Sequence, residues 1–195
     1  MTAPEQQIYV IRHGETEWSI SGQHTGVTDI PLTENGRHLA KLLHPVLAKE
    51  SFALVLTSPL QRAKETCKLS GLGDQAEVDS NLMEWNYGDY EGLTTDQIHE
   101  KNPGWLIFTD GGPGGETPEQ VGERADCVIK RVRAVKGNVA LFAHGHIFRV
   151  LVARWIDFPA TAGRRFLLDT GTLNILSYYR GIPAVKQWNA PLTPC

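Results

Sequence analysis

Residues of useful chemical type sit just past the apolar runs of this chain. IYVIRHG carries Arg12 and His13, NVALFAHGH carries His144, and FALVLTSPLQR delivers Arg62. LMEWNYGDYEG sets Glu84 among apolar and aromatic neighbours. Arginine stays charged and presents a planar fork of donors that matches phosphate oxygens. Two such charges beside a histidine favour its neutral form, whose lone pair a nucleophile needs. A second histidine can donate to phosphoryl oxygens as charge builds in the transition state. Apolar neighbours are expected to raise the pKa of Glu84, suiting it to protonate a leaving alkoxide and later to activate water. Together the set describes phosphoryl transfer through a phosphohistidine, with no metal required and no other cofactor expected. Gly14 and Gly145 directly follow the two histidines. Without Cβ they allow a sharp exit from a strand and a close approach of backbone amides to an oxyanion.

The elements that must position these residues read as an alternation of short apolar runs and helical patterns. After the first run, the polar loop SGQHTGVTDIP leads to LTENGRHLAKLLHPVLAKE, read as one helix capped by Thr33. PLQRAKETCKL follows the second run, with Ser58 as the expected N-cap and Pro59 at the first helical position. Residues 76–93 suggest a short strand and then a loop. TDGGPGGETP reads as a loop, with GGPGGE as a flexible lid, and ETPEQVGERADCVIKRVRAV as a long helix. The helical IFRVLVARWI follows the run at 138–143, and TLNILSYYRGIPAVKQWN reads as two strands joined at Arg180-Gly181. Such alternation implies a three-layer α/β/α fold, a mainly parallel sheet covered on both faces. Ligands of such sheets bind beyond the carboxyl ends of the strands, at the topological switch point.

Length and composition fit one domain spanning 1–195. A formal net charge of −3 provides no global field for nucleic acid, so any anion must be held by local arginines. No stretch reaches the ~20 apolar residues of a membrane span, and MTAPEQQ shows no secretory signal. Cys67, Cys127 and Cys195 lack metal spacing and are expected to stay reduced, as in a cytoplasmic protein. His144 and His146 have the spacing of a metal pair, but no companion carboxylate or cysteine motif supports one.

RHGET at 12–16, Arg62 after TSPL, Glu84 before YGDYEG and the late HG at His144 resemble the histidine phosphatase superfamily, in its phosphoglycerate mutase-like branch. The match runs in order over nearly the whole chain. The resemblance implies His13 as the phosphorylated nucleophile, Arg12, Arg62 and His144 around the phosphoryl group, and Glu84 as proton donor. It also implies a metal-independent phosphatase of a small phosphorylated metabolite, a sugar phosphate or sugar bisphosphate. The alternatives are a mutase and a non-catalytic module that binds phosphorylated ligands. Ser19 stands where many members carry asparagine. SGQHTGVTDIPLT, MEWNYGDYEG and FAHGHIFR are similar to the fungal sedoheptulose-1,7-bisphosphatase group. That similarity implies a substrate pocket lined by His24, Thr25, Tyr87 and Arg149, with Arg149 receiving a second anionic group. His24 replaces a tyrosine of that group. Ser19 and Gly145 complete the expected binding set.

Overall fold

The structure is a computed structural model that describes residues 5–192. Cys195 and the first four residues, on which the reading of MTAPEQQ partly falls, lie outside the described residues. The strands are β1 (Ile8–Arg12), β2 (Phe52–Thr57), β3 (Ala76–Val78), β4 (Asn138–Ala143), β5 (Thr172–Tyr179) and β6 (Ile182–Pro191). They form one sheet in the order β3-β2-β4-β1-β5-β6. The first four strands are mutually parallel, while β5 runs antiparallel to both β1 and β6. No helix among the described residues is long and apolar enough to cross a membrane.

Strand alternation builds two cores. Ile8, Val10, Leu56, Val139 and Leu141 face α7 (Pro118–Arg133) and α8 (Gly145–Trp155). Tyr9, Ile11, Val55, Ala140 and Phe142 face the opposite way. That face is covered by α2 (Glu34–Leu42), α3 (His44–Leu47) and α4 (Gln61–Leu69), which contribute Leu47 and Cys67 among others. Because side chains on both faces are buried, the strands read as near-continuous apolar runs. The three-layer α/β/α expectation describes this arrangement.

α7 shows how sequence specifies one layer. Thr117 and Gln120 form a capping box, Pro118 opens the helix, and Val121, Ala125, Val128, Ile129 and Val132 form its buried stripe. Lys130, Arg131 and Arg133 end it, where cations oppose the negative end of the helix dipole. Arg154 grips Asp126 with two hydrogen bonds of 2.9 and 2.8 Å, tying α8 to α7.

Three sequence expectations are corrected. The helix after Thr33 breaks at Leu43 into α2 and α3, because Pro45 has no N–H and its ring crowds the preceding turn. Ser58 and Pro59 precede the helix they were expected to open; α4 starts at Gln61 with Leu60 at its N-cap and no side-chain cap. GGPGGE packs tightly on its neighbour instead of forming a loose lid. A Cβ on Gly112 would lie 2.1 Å from the Tyr87 carbonyl oxygen, and one on Gly115 2.2 Å from that of Asn86. Only glycine permits such backbone-on-backbone contact. The short helices α1 (Glu17–Ser21), α5 (Thr95–Lys101) and α6 (Ile107–Asp110) are too brief for periodicity to reveal them.

Adjacent strands β1 and β4 send their chains to opposite faces, β1 toward α2 and β4 into α8. This is the switch point. Arg12 pairs with Ala143 in register, and His13 N–H donates to the Ala143 carbonyl at 2.9 Å. Ser58 N–H donates to the Phe142 carbonyl at 2.9 Å. His13, Ser58 and His144 therefore leave three neighbouring strands side by side.

Candidate active site

His13 is buried, and its Nδ1 lies 2.7 Å from the Gly14 carbonyl oxygen. A carbonyl only accepts, so Nδ1 carries the proton and Nε2 keeps the lone pair. Burial, then the charges of Arg12 and Arg62, lower its pKa from 6.5 to about 3. The ring is a neutral base with its nucleophilic nitrogen unprotonated. The glycine after it works differently from the expectation. Gly14 N–H donates to Thr66 Oγ1 at 3.0 Å, and a Cβ there would meet the Gly36 carbonyl oxygen at 2.4 Å. Gly14 thus lets the loop lie against the first turn of α2, and its amide is engaged by α4.

The two arginines differ in what they leave available. Arg12 donates from one terminal nitrogen to the Leu168 carbonyl at 2.6 Å, while its buried Nε has no partner among the described residues. Gly145 adjoins this guanidinium, since a Cβ there would lie 3.4 Å from Arg12 Cζ. Arg62 is fully buried and makes four hydrogen bonds: to the carbonyls of Thr28, Thr25 and Gly26, and from Nε to His144 Nδ1 at 3.1 Å. Of its five N–H groups, one remains. Glu91 in turn accepts from Gly26 N–H and Thr28 N–H, fixing the loop that Arg62 holds.

His144 is buried beside His13, with ring centroids 5.1 Å apart. Since Arg62 Nε–H donates to its Nδ1, the ring proton sits on Nε2 and is given to Ser58 Oγ at 2.7 Å. The Ser58 hydroxyl thus orients a catalytic candidate, a role its position before a helix did not suggest. Burial, then Arg62 and His13, keep the His144 pKa well below 6.5.

Glu84 overturns the expectation of a raised pKa. Its Oε1 accepts from Trp85 N–H and Ile147 N–H, both at 2.9 Å, and its Oε2 from His146 N–H at 3.0 Å. Two of these donors belong to the first turn of α8, where the helix dipole also favours an anion. Burial acts to raise the pKa, but hydrogen bonding to His146, whose backbone N–H donates to Oε2, holds it well below the usual carboxylate value. Its backbone is pinned from behind. Arg124 forms a bidentate pair with Glu116 at 2.7 and 2.8 Å and donates to the carbonyls of Asn81 and Met83. Glu116 also accepts from Asn86 N–H at 2.9 Å.

A cleft of about 160 Å³ opens over Arg12, His13 and Glu84. Of the expected binding residues, Ser19, His24, Thr25 and Tyr87 line it. Ser19 is committed locally, forming a capping box with Thr16 and donating from Oγ to the Thr16 carbonyl at 2.8 Å. Arg149 does not line the cleft. Its guanidinium lies 4.5 Å over the Phe108 ring, with Nε 3.3 Å from the Gly163 carbonyl oxygen. Sequence reasoning missed Thr16, Trp18, Gln23 and His146 on the cleft wall. For His146 the signal was its position two residues after His144. Among the described residues, no three or more His, Cys, Asp or Glu side chains are grouped to hold a metal ion.

The chain is similar to proteins named as phosphatases. An acid phosphatase of Mycobacterium tuberculosis is 39% identical over 186 residues, which is 93% of this chain and 91% of that protein. Sedoheptulose 1,7-bisphosphatase of Saccharomyces cerevisiae is 36% identical over 178 residues, or 75% of this chain and 66% of that protein. The solved structure of a Mycobacterium tuberculosis open reading frame product superposes with a TM-score of 0.92 at 36% identity, covering 96% of this chain and 99% of that one. The family model of the histidine phosphatase superfamily (branch 1) matches residues 8–191, and this chain belongs to that superfamily.

Proposed function

We propose that this phosphoric monoester hydrolase acts on a small phosphorylated metabolite, with a sugar phosphate the best-supported class, through a phosphohistidine on His13. The observation that carries the reading is the Nδ1–H bond from His13 to Gly14, which leaves Nε2 free beside Arg12, Arg62 and His144. Nε2 attacks phosphorus in line and the bond to the leaving oxygen breaks. Arg12 supplies the larger share of phosphoryl contacts because Arg62 is mostly occupied. The charge is met by these guanidinium groups, so the step needs no metal.

Glu84 gives its proton to the leaving oxygen. It is ionised in the resting protein, so that proton is taken up with the substrate, whose phosphoryl charge raises the carboxyl's proton affinity. In the second half the carboxylate accepts a proton from water as the water oxygen attacks phosphorus. The P–N bond breaks, and His13 recovers its lone pair. A relative named as an acid phosphatase fits a proton donor that fills most readily in acid. Rapid quenching during turnover, followed by mass spectrometry, tests the reading: phosphate should appear on His13 and be absent from His13→Ala. Turnover with no phosphate on His13 would refute it.

A further inference from the structure

Beyond the phosphoryl cradle the cleft changes character. Its lining also carries His24, Tyr87, His146 and Trp18, and among the described residues Arg12 is the only cation that lines it. The cation expected to receive a second anion, Arg149, is stacked on Phe108 and turned to backbone carbonyls. His24 stacks on Tyr87 with centroids 4.8 Å apart and meets the edge of Trp105 at 5.4 Å. Burial, then His146, lower the His24 pKa to about 4, and burial lowers that of His146. Both imidazoles are uncharged near neutrality, while Glu84 beside them is an anion. A second negative group on the substrate would meet Glu84 as a like charge, while the nearby Arg149 is engaged with the Phe108 ring and with backbone carbonyls.

The polar groups of the wall are mostly spent. Gln23 donates to the Gly92 carbonyl and accepts from Ser21, and Ser19 is held by Thr16. Trp18 Nε1–H and one ring nitrogen of His24 have no partner recorded among the described residues, and neither has one nitrogen of His146. The buried Tyr87 hydroxyl lies 2.7 Å from His146 Nδ1, the one acceptor recorded for it among the described residues. With the Tyr87 O–H taken as donor to Nδ1, the proton of His146 sits on Nε2. That nitrogen has no partner among the described residues, and it is not counted among the buried unpaired atoms.

We propose that the cleft selects phosphomonoesters with an uncharged, hydroxyl-bearing leaving group, of the polyol or sugar monophosphate kind, and that His146 Nε2–H is the specificity-determining donor to an oxygen of that group. The proposal rests on the hydrolase reading above. It departs from the bisphosphate that a cation at the outer cleft would serve.

The test compares kcat/KM for a sugar monophosphate, the corresponding sugar bisphosphate and p-nitrophenyl phosphate in the native protein, His146→Phe, Tyr87→Phe and Arg149→Ala. The monophosphate should exceed the bisphosphate by about tenfold or more. His146→Phe keeps a ring but removes the donor. It should lower kcat/KM for the sugar monophosphate relative to p-nitrophenyl phosphate by about tenfold, mainly through KM. Tyr87→Phe, which frees the tautomer, should shift the same ratio in the same direction by less. A purely structural role for His146 would lower both substrates equally, and that result overturns its assignment. A bisphosphate preference that is lost in Arg149→Ala overturns the substrate class while leaving the hydrolase reading intact. No turnover of any of the three overturns both.

Discussion

Replacing His13 by asparagine should make the protein less sensitive to acid, although it removes the proposed nucleophile. Asparagine can place an N–H where His13 Nδ1–H stands, so the bond to the Gly14 carbonyl is retained. The folded protein holds His13 neutral, with its pKa lowered from 6.5 to about 3 by burial and then by Arg12 and Arg62. The unfolded chain therefore takes up a proton as pH falls through 6.5, and the folded chain does so only near 3. Stability must fall across that window, since the unfolded state binds more protons there. At about pH 4.5 this single group destabilises the native protein by about 3 kcal/mol, against almost nothing at about pH 7.5. Asparagine does not titrate. Urea unfolding at the two pH values should show the native protein losing about 3 kcal/mol more than His13→Asn. Equal losses would mean that His13 is not held neutral, and the argument for a free Nε2 would fall with it.

Three further outcomes follow from the same geometry. Glu84→Gln should slow hydrolysis of an alkyl phosphate by about 10²–10⁴, and that of p-nitrophenyl phosphate, whose anion leaves unaided, far less; parallel steady-state assays read the ratio. Ser58→Ala removes the acceptor of His144 Nε2–H, so kcat should fall about tenfold, with recovery in Ser58→Thr, which keeps the hydroxyl. Arg124→Ala leaves Glu116 and two backbone carbonyls without their partner. It should cost about 2–4 kcal/mol in chemical denaturation, and it should lower kcat because the loop that carries Glu84 loosens.

The placement of Arg12 and His13 at the sheet edge was legible because its signal is local. A buried strand such as IYVI that ends on Arg12 and His13 draws attention to its carboxyl edge, and the α/β alternation says that ligands of such sheets bind there. The break between α2 and α3 was also present in the sequence, as His44-Pro45, but the leucine stripe on either side masked it. Ser58 shows a different limit. A serine before a proline at the mouth of a helix has the chemistry of an N-cap, and nothing nearby reveals that a strand 86 positions further on brings His144 to its hydroxyl.

Glu84 carries that limit into the chemistry itself. Its sequence neighbours are apolar, and burial alone would have made it a resident acid with its proton in place. The donors that decide its charge come mainly from His146 and Ile147, 62 and 63 residues later, at the start of a helix whose own position depends on β4. Three backbone N–H groups on one carboxylate favour the anion strongly, so under the proposed mechanism Glu84 is a proton acceptor at rest and a donor only when a phosphoryl group is bound. This ordering has a consequence for rate. Under that mechanism substrate binding and proton uptake are coupled at Glu84, and kcat/KM should climb as pH falls below neutrality. The same coupling leaves His13 unaffected down to about pH 3. The nucleophile and the acid therefore do not compete for the same proton, because a carbonyl and two guanidinium groups govern one and the first turn of α8 governs the other.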